Sequence, residues 1–508
     1  MKTENGSQKK LRMNTLMGLL SQVTTLICGF IIPKLILHYY GSEVNGLVSS
    51  ITHFLSFISL AECGMGVVVQ SSLYKPLADG DDDQVSRVLI SSDRFFHSVG
   101  ALLVVYAAAL VFIYPHITDT AFDFWYVAGL LGAISISLFI QHYVCMSYRL
   151  LVIADQRGYV QLGLSILCQV LSTLFCTLAA VLGVSIQGFK LISSLMLILH
   201  PILLTVYVRR HYRINKKLKL EGEPIKQKWN GFAQHVAHVV LNNTDTVVLT
   251  FFSTLTQVSV YHVYFLVVNG IKTMVMATVT GMQSYLGGIF AGEDQQKLVK
   301  SFAKYERLLH AGVTFLFACT AVLIVPFVQV YTLGIQDTDY YAPLFGLLIT
   351  LSQMAFCIRL PYNTMIFVAG HYKETQLSAL IETGLNIIIS VVMVIRFGLV
   401  GVAVGTLAAM LYRTTYQAIY LSRHILYRPF WHYAGYLVAD ALGVAVTLLL
   451  SRWFHMAEIT VLQWVWLAVR VALIAGAVTV CSHGLLRMLE KRIDSRRLDL
   501  GKVPVSHE

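Results

Sequence analysis

Long apolar runs, each separated from the next by a few polar or basic residues, set the pattern of this chain. A helix that crosses a bilayer needs about 20 predominantly apolar residues. Fourteen such runs can be marked, at residues 13–37, 44–71, 95–114, 124–147, 158–181, 187–208, 231–253, 261–290, 308–333, 342–368, 376–395, 399–420, 433–451 and 461–486. The first follows Lys9, Lys10 and Arg12 and has no small-residue cleavage site, so it reads as a retained span.

Lys and Arg alternate around these runs. Of the 38, segments on one side hold 30, eight of them in Arg209–Lys228, and segments on the other hold only Arg396 and Arg452. Lys34, Lys190, Lys272, Arg359, Arg413 and Arg470 lie within runs. The basic side is expected to be cytoplasmic, which puts both termini there and requires an even number of spans. The longest inner connection, residues 211–230, is a basic linker between residues 1–210 and 231–422, and 423–508 adds two helices and a basic tail.

Composition narrows the class. The 508 residues are 56% apolar and 13% charged, with a mean hydropathy of +0.66, against about 25% charged in soluble proteins. A water-soluble enzyme is excluded. The net charge of +11 sits in loops, where it sets topology and attracts membrane lipid headgroups, so no nucleic-acid partner is expected. All eight cysteines, Cys28, Cys63, Cys145, Cys168, Cys176, Cys319, Cys357 and Cys481, fall in apolar segments without a CxxC pair, as free thiols do. There is no GxxxxGK[ST] loop and no HExxH, so neither a nucleotide, a metal nor another cofactor is expected.

The halves repeat. Asp81–His97 (DDDQVSRVLISSDRFFH) aligns without gaps on Asp294–His310 (DQQKLVKSFAKYERLLH). Asp81/Asp294, Arg94/Arg307 and His97/His310 are identical, and Asp93/Glu306 are alike in kind. Both stretches have apolar residues at helical spacing and lead into the third span of their half. Gln161 and Gln376 each open a fifth span, and Gly183 and Gly398 each follow 22 residues later. Both repeats start inside after an even number of spans, which makes them parallel, related by an axis along the membrane normal.

Polar residues inside the spans carry the candidate chemistry. Six cations and four acids (Glu62, Asp245, Glu382 and Asp440) would together cost roughly 25–35 kcal/mol if all faced lipid at mid-depth. They must pair, snorkel or face water. On span 7, His235, His238, Asn242 and Asp245 form one stripe; on span 8, Asn269, Lys272, Thr280 and Gln283 share a face. Span 2 carries Ser49, Thr52, Ser56, Ser59 and Glu62 with His53 beside them. Such stripes line a cavity or mediate helix packing, and the charges on spans 7 and 8 favour lining. Lys272 lies near mid-membrane and is the first candidate for binding an anion; Arg359, next to Pro361, is the second. Asp245 is the candidate coupling site, with a structural pair to Lys272 as the alternative.

The opening stretch resembles bacterial polysaccharide and oligosaccharide flippases of the multidrug/oligosaccharidyl-lipid/polysaccharide exporter superfamily. The likeness rests on Pro33 late in span 1, Gly41 in the outer turn, Gly46-Leu47 opening span 2, and Glu62 followed by Gly64 and Gly66. The resemblance implies an all-α integral membrane protein with about fourteen transmembrane helices, two six-helix lobes around a central cavity, and two C-terminal helices. It implies a non-enzymatic protein of the bacterial plasma membrane that moves undecaprenyl-pyrophosphate-linked sugar units between leaflets by alternating access. Lys272, Arg359, Asn269, Gln283 and His53 would then meet substrate, while His235, His238, Asn242, Asp245 and Glu62 would line the cavity or couple a proton or sodium ion. Lipid II flippases use arginines in the first lobe, whereas the N-terminal spans here hold only Lys34 and Lys190. A cation-coupled multidrug exporter is the alternative, although residues 13–37 contain no acid. A membrane-embedded sugar polymerase or transferase is the less favoured alternative, because outer-loop acids such as Asp119, Asp123, Asp337 and Asp339 sit on short loops.

Overall fold

A computed structural model describes residues 2–62, 64–117, 122–218, 232–292, 294–454 and 456–500. Cys63, Asp119 and most of the basic linker fall outside the described residues. In chain order the helices are α1 (Lys2–Tyr40), α2 (Ser42–Ser56), a 3-10 turn (Phe57–Glu62), α3 (Met65–Asp79), α4 (Asp82–Ile117) and α5 (Phe124–Ile140). A π turn (Gln141–Cys145) leads into α6 (Met146–Ala154), then α7 (Gly158–Val181), α8 (Ile186–His211), α9 (Phe232–Phe252), α10 (Leu255–Ala277) and α11 (Val279–Ala291). The last are α12 (Gln295–Tyr331), α13 (Pro343–Val368), α14 (Tyr372–His424), α15 (Trp431–Ser451) and α16 (Val461–Leu500), and no strand occurs among the described residues.

Twelve helical stretches among the described residues are long and apolar enough to cross a membrane. One of them, α14, has 53 residues. Straight, it would measure about 80 Å, against a hydrocarbon core of about 30 Å. Gly398, at φ 51 and ψ −128, breaks it into two spans. Conversely α9, of 21 residues, is not among the twelve. His235, His238, Asn242, Asn243 and Asp245 dilute its apolar residues. With α14 taken as two spans and α9 added, the fourteen expected spans are accounted for.

The chain forms two compact units. Unit 1 comprises Met1–Val263, Gly334–Thr338 and Val394–Gly398; unit 2 comprises Tyr264–Leu333, Asp339–Met393 and Leu399–Glu508. In unit 1, α2 is mostly buried. Gly46 is required there, since a Cβ would stand 1.8 Å from the Leu255 carbonyl oxygen. Its first turn is capped by Asp337, whose carboxylate oxygens accept from the Ser42 amide and hydroxyl at 2.6 Å each. In unit 2, α12 is central, packed by α13, α15 and α16 around Phe302, Phe317, Tyr362 and Tyr433.

The repeat is visible in the backbone. Gln156 (φ 59) and Gly370 (φ 77) occupy the turns before the fifth span of each half. Gly183 (φ 71) and Gly398 (φ 51) occupy the turns after it. Left-handed backbone at matching places, where glycine is the cheapest residue, explains why these glycines recur in the sequence.

Candidate functional site

An ionisable side chain inside an apolar span persists only with a partner or with water. Three helices of unit 2 bring four such side chains together. From α10 comes Lys272, close to the middle of the Leu255–Ala291 stretch. From α13 come Phe356 and Arg359, three residues apart and so on one helix face. The two halves of α14 contribute Glu382 and Arg413.

Glu382, fully buried, accepts from Arg359 at 2.5 Å through Oε1 and from Arg413 at 2.6 Å through Oε2. The Phe356 ring has the Lys272 Nζ 4.7 Å and the Arg359 guanidinium carbon 4.8 Å from its centroid. Lys272, Arg359 and Arg413 are 8%, 6% and 7% exposed. Two arginines therefore share one carboxylate, and among the described residues Lys272, on the Phe356 ring, has no carboxylate within ion-pair distance. The ring's negative face holds two positive charges near each other without neutralising either. The arrangement is a buried site with surplus positive charge, suited to an anion.

The remaining acids named from the sequence are also partnered. Asp440, on α15, accepts from the His310 Nδ1 at 2.6 Å and the Thr314 hydroxyl at 2.6 Å. Asp245 accepts from the Tyr261 hydroxyl at 2.9 Å. Glu62 lies 2.7 Å from the His142 Nε2.

The span 7 stripe divides between two uses. His235 donates to the Ser59 carbonyl at 2.7 Å. His53 meets Asn243 at 2.8 Å, and Ser50 meets Thr250 at 2.7 Å, so α9 packs on α2 through polar contacts. His238 and Asn242 are exposed and bond to each other at 3.1 Å. Of the candidate substrate residues, the structure brings Lys272 and Arg359 onto one ring. Asn269 lies three residues before Lys272 on α10, half-buried; Gln283 is exposed on α11; His53 belongs to unit 1. Phe356, Glu382 and Arg413 complete the cluster; in the sequence the two charges stand out as intramembrane ions, with nothing that joins them to Arg359. The available signal was the requirement that an intramembrane charge find a partner. An apolar groove of about 360 Å³ runs between α13, α14 and α15, lined by Leu347, Met354, Ile358, Leu411, Leu437 and Leu448 among others.

No family model and no curated protein sequence matches the chain. Solved structures do. Lipid II flippase MurJ, in an inward closed conformation, matches at TM-score 0.67 over 92% of this chain and 98% of that one, with 12% identity. A multidrug resistance MATE family transporter of the MOP superfamily, inward-facing, matches at 0.62 over 80% and 98%, with 13% identity. An outward-facing structure of such a transporter matches at 0.55 over 79% and 96%, with 11% identity. At these identities the likeness is one of fold: an all-α membrane protein of two pseudo-symmetric helical lobes.

Proposed function

We propose that the chain is an alternating-access transporter that carries undecaprenyl-pyrophosphate-linked oligosaccharide units between membrane leaflets. The observation that supports this substrate is the surplus of buried positive charge around Phe356. A pyrophosphate needs cations at depth, and a guanidinium fork grips it through two bonds where an ammonium acts as a point charge. Glu382 lowers the cost of keeping Arg359 and Arg413 charged without cancelling the surplus. The apolar groove between α13, α14 and α15 has the character required by a polyprenyl chain that stays in lipid surroundings.

A second reading is favoured by the MATE structures among the matches: a cation-coupled multidrug exporter, with Asp245 as the coupling carboxylate. The two readings separate in one strain set. Surface polysaccharide is measured in a bacterium lacking its own flippase, and drug susceptibility in one lacking its exporters, with membrane abundance of every variant checked. Under the flippase reading Lys272→Gln and Arg359→Gln lower polysaccharide, Lys272→Arg retains more of it than Lys272→Gln, and drug susceptibility is unchanged by the protein. Normal polysaccharide from both glutamine variants at equal abundance overturns the assignment of this cluster to the pyrophosphate. Protection from drugs that is lost in Asp245→Asn favours the exporter.

A further inference from the structure

Unit 1 holds a polar cavity that the proposed substrate site does not use. It measures about 200 Å³ and is lined by Glu62, Gln141, His142, Cys145, Arg149 and His200 among others. Two departures from α-helix frame it, the 3-10 turn Phe57–Glu62 that follows α2 and the π turn Gln141–Cys145 between α5 and α6. A π turn accommodates an extra residue and swings side chains off the regular helical face, frequently at functional sites. Here it presents His142 to Glu62, with side chains 12% and 17% exposed.

The bonds of His142 fix a proton count. Its Nδ1 lies 2.8 Å from the Leu138 carbonyl oxygen and its Nε2 lies 2.7 Å from the Glu62 Oε1. A carbonyl oxygen only accepts, so Nδ1 carries a hydrogen. A neutral imidazole then has none on Nε2, and an ionised carboxylate has none to give. The Nε2–Oε1 contact therefore needs one further proton. It is either an imidazolium facing a carboxylate or a neutral imidazole accepting from a carboxylic acid, and the total is the same. We propose that Glu62 and His142 form a proton-binding site whose occupancy ties the turn after α2 to the π turn. Loss of the proton sets two acceptors against each other, or makes Nδ1 give up Leu138 so that Nε2 can donate. One of the two bonds is lost in either case.

Other titratable groups lie on the elements packed against the two turns. His97 of α4 stacks on Tyr143 of the π turn at 4.1 Å. Tyr106 of α4 donates to the Phe54 carbonyl on α2, whose His53 is held by Asn243. His235 of α9 donates to Ser59. Arg149 of α6, Cys145 and His200 of α8 line the cavity. His200 keeps its Nδ1 3.8 Å from the Cys145 Sγ, and its Nε2 is buried. None of these supplies a carboxylate that competes for His142. Use of the proton in coupling rests on the transport reading above; the proton itself does not.

Cys145, 3% exposed, reports on the tie. The full-length protein, with its other cysteines replaced by serine, is placed in lipid nanodiscs, and Cys145 is modified with methyl methanethiosulfonate at about pH 5 and about pH 8. In Glu62→Gln the amide donates to Nε2 while Nδ1 keeps Leu138, so the tie holds without the extra proton and the rate rises with pH only through the thiolate. The pH ratio of rates with the native pair is expected to exceed that of Glu62→Gln by about tenfold, the worth of one hydrogen bond to a charged group. His142→Asn, which removes the ring, is expected to lose the excess as well and serves if Glu62→Gln does not accumulate. Equal ratios with the native pair and with the variant overturn the proposal. No substrate is involved, so failure of the transport reading leaves this result intact.

Discussion

Asp81–His97 in unit 1 and Asp294–His310 in unit 2 are one sequence pattern with two environments. Asp93 lies 3.4 Å from Lys216, which follows α8, and the two side chains are 22% and 56% exposed. Its counterpart Glu306 meets Arg428, which follows α14, through two bonds of 2.5 and 2.6 Å, with side chains 0% and 9% exposed. The topology is the same in both: an acid at the start of the third span meets a base just past the sixth. Burial is what differs, because α15 and α16 pack on α12 and nothing described packs on α4 in that way. His97 merely stacks on Tyr143, whereas His310, fully buried, bonds to Asp440 of the added helix and, at 2.9 Å, to the Tyr362 hydroxyl. The two extra helices thus turn a surface motif into an interior polar network. Both bases are held above their ordinary pKa. Burial pulls Lys216 and Arg428 down, and this is outweighed by Tyr148 with Asp93 in the first case and by Glu306 in the second.

The largest expected difference follows from removing one partner of each pair. Glu306→Ala leaves the Arg428 guanidinium buried and unpaired, a loss of about 3–5 kcal/mol. Asp93→Ala removes a partly exposed pair and costs about 0–1 kcal/mol. Thermal unfolding of the two variants in one detergent measures both. Equal losses break the comparison. Replacing both Glu306 and Arg428 by Met is expected to restore much of the stability lost in Glu306→Ala, because no unpaired charge remains.

A smaller effect attaches to the histidines. Asp440→Ala removes the acceptor of the His310 Nδ1 and the Thr314 hydroxyl. Leaving buried donors unsatisfied costs about 1–3 kcal/mol. His97→Ala removes a stacked ring worth about 0.5–1.5 kcal/mol. The same unfolding assay ranks them, and a His97 effect as large as that of Asp440 would mean that the Asp440 bonds stabilise α12 no more than the His97 stack stabilises α4.

Span number, repeat and glycine turns were legible because they follow from periodicity and from backbone angles that favour glycine. Lys272 and Arg359 were legible because a cation in an apolar run is rare. Their surroundings were not. Glu382 is 23 residues from Arg359 and 31 from Arg413, and only packing decides that it bridges them. The span 7 stripe showed a polar face but not its neighbour, so the bond of His235 to Ser59 could not be told from a cavity-facing role. His142 is not legible in the sequence because a π turn breaks the 3.6-residue period that sets helix faces.

Salt gives the smallest and most selective test of the two pairs. Exposed charges are screened over about 10 Å at 0.1 M and about 3 Å at 1 M ionic strength. Lys216, with its side chain 56% exposed, lies within that ionic atmosphere, while Glu306 is fully buried and is not. The stability difference between the native protein and Asp93→Ala should therefore shrink toward zero as salt rises across this range. The difference for Glu306→Ala should stay nearly constant, since ions do not reach the place where the pair is broken. Unfolding midpoints of the native protein and both variants at the two salt levels provide the measurement. A Glu306→Ala difference that falls in parallel with that of Asp93→Ala would place Arg428 in contact with solvent ions, and the contrast between the two units would be lost.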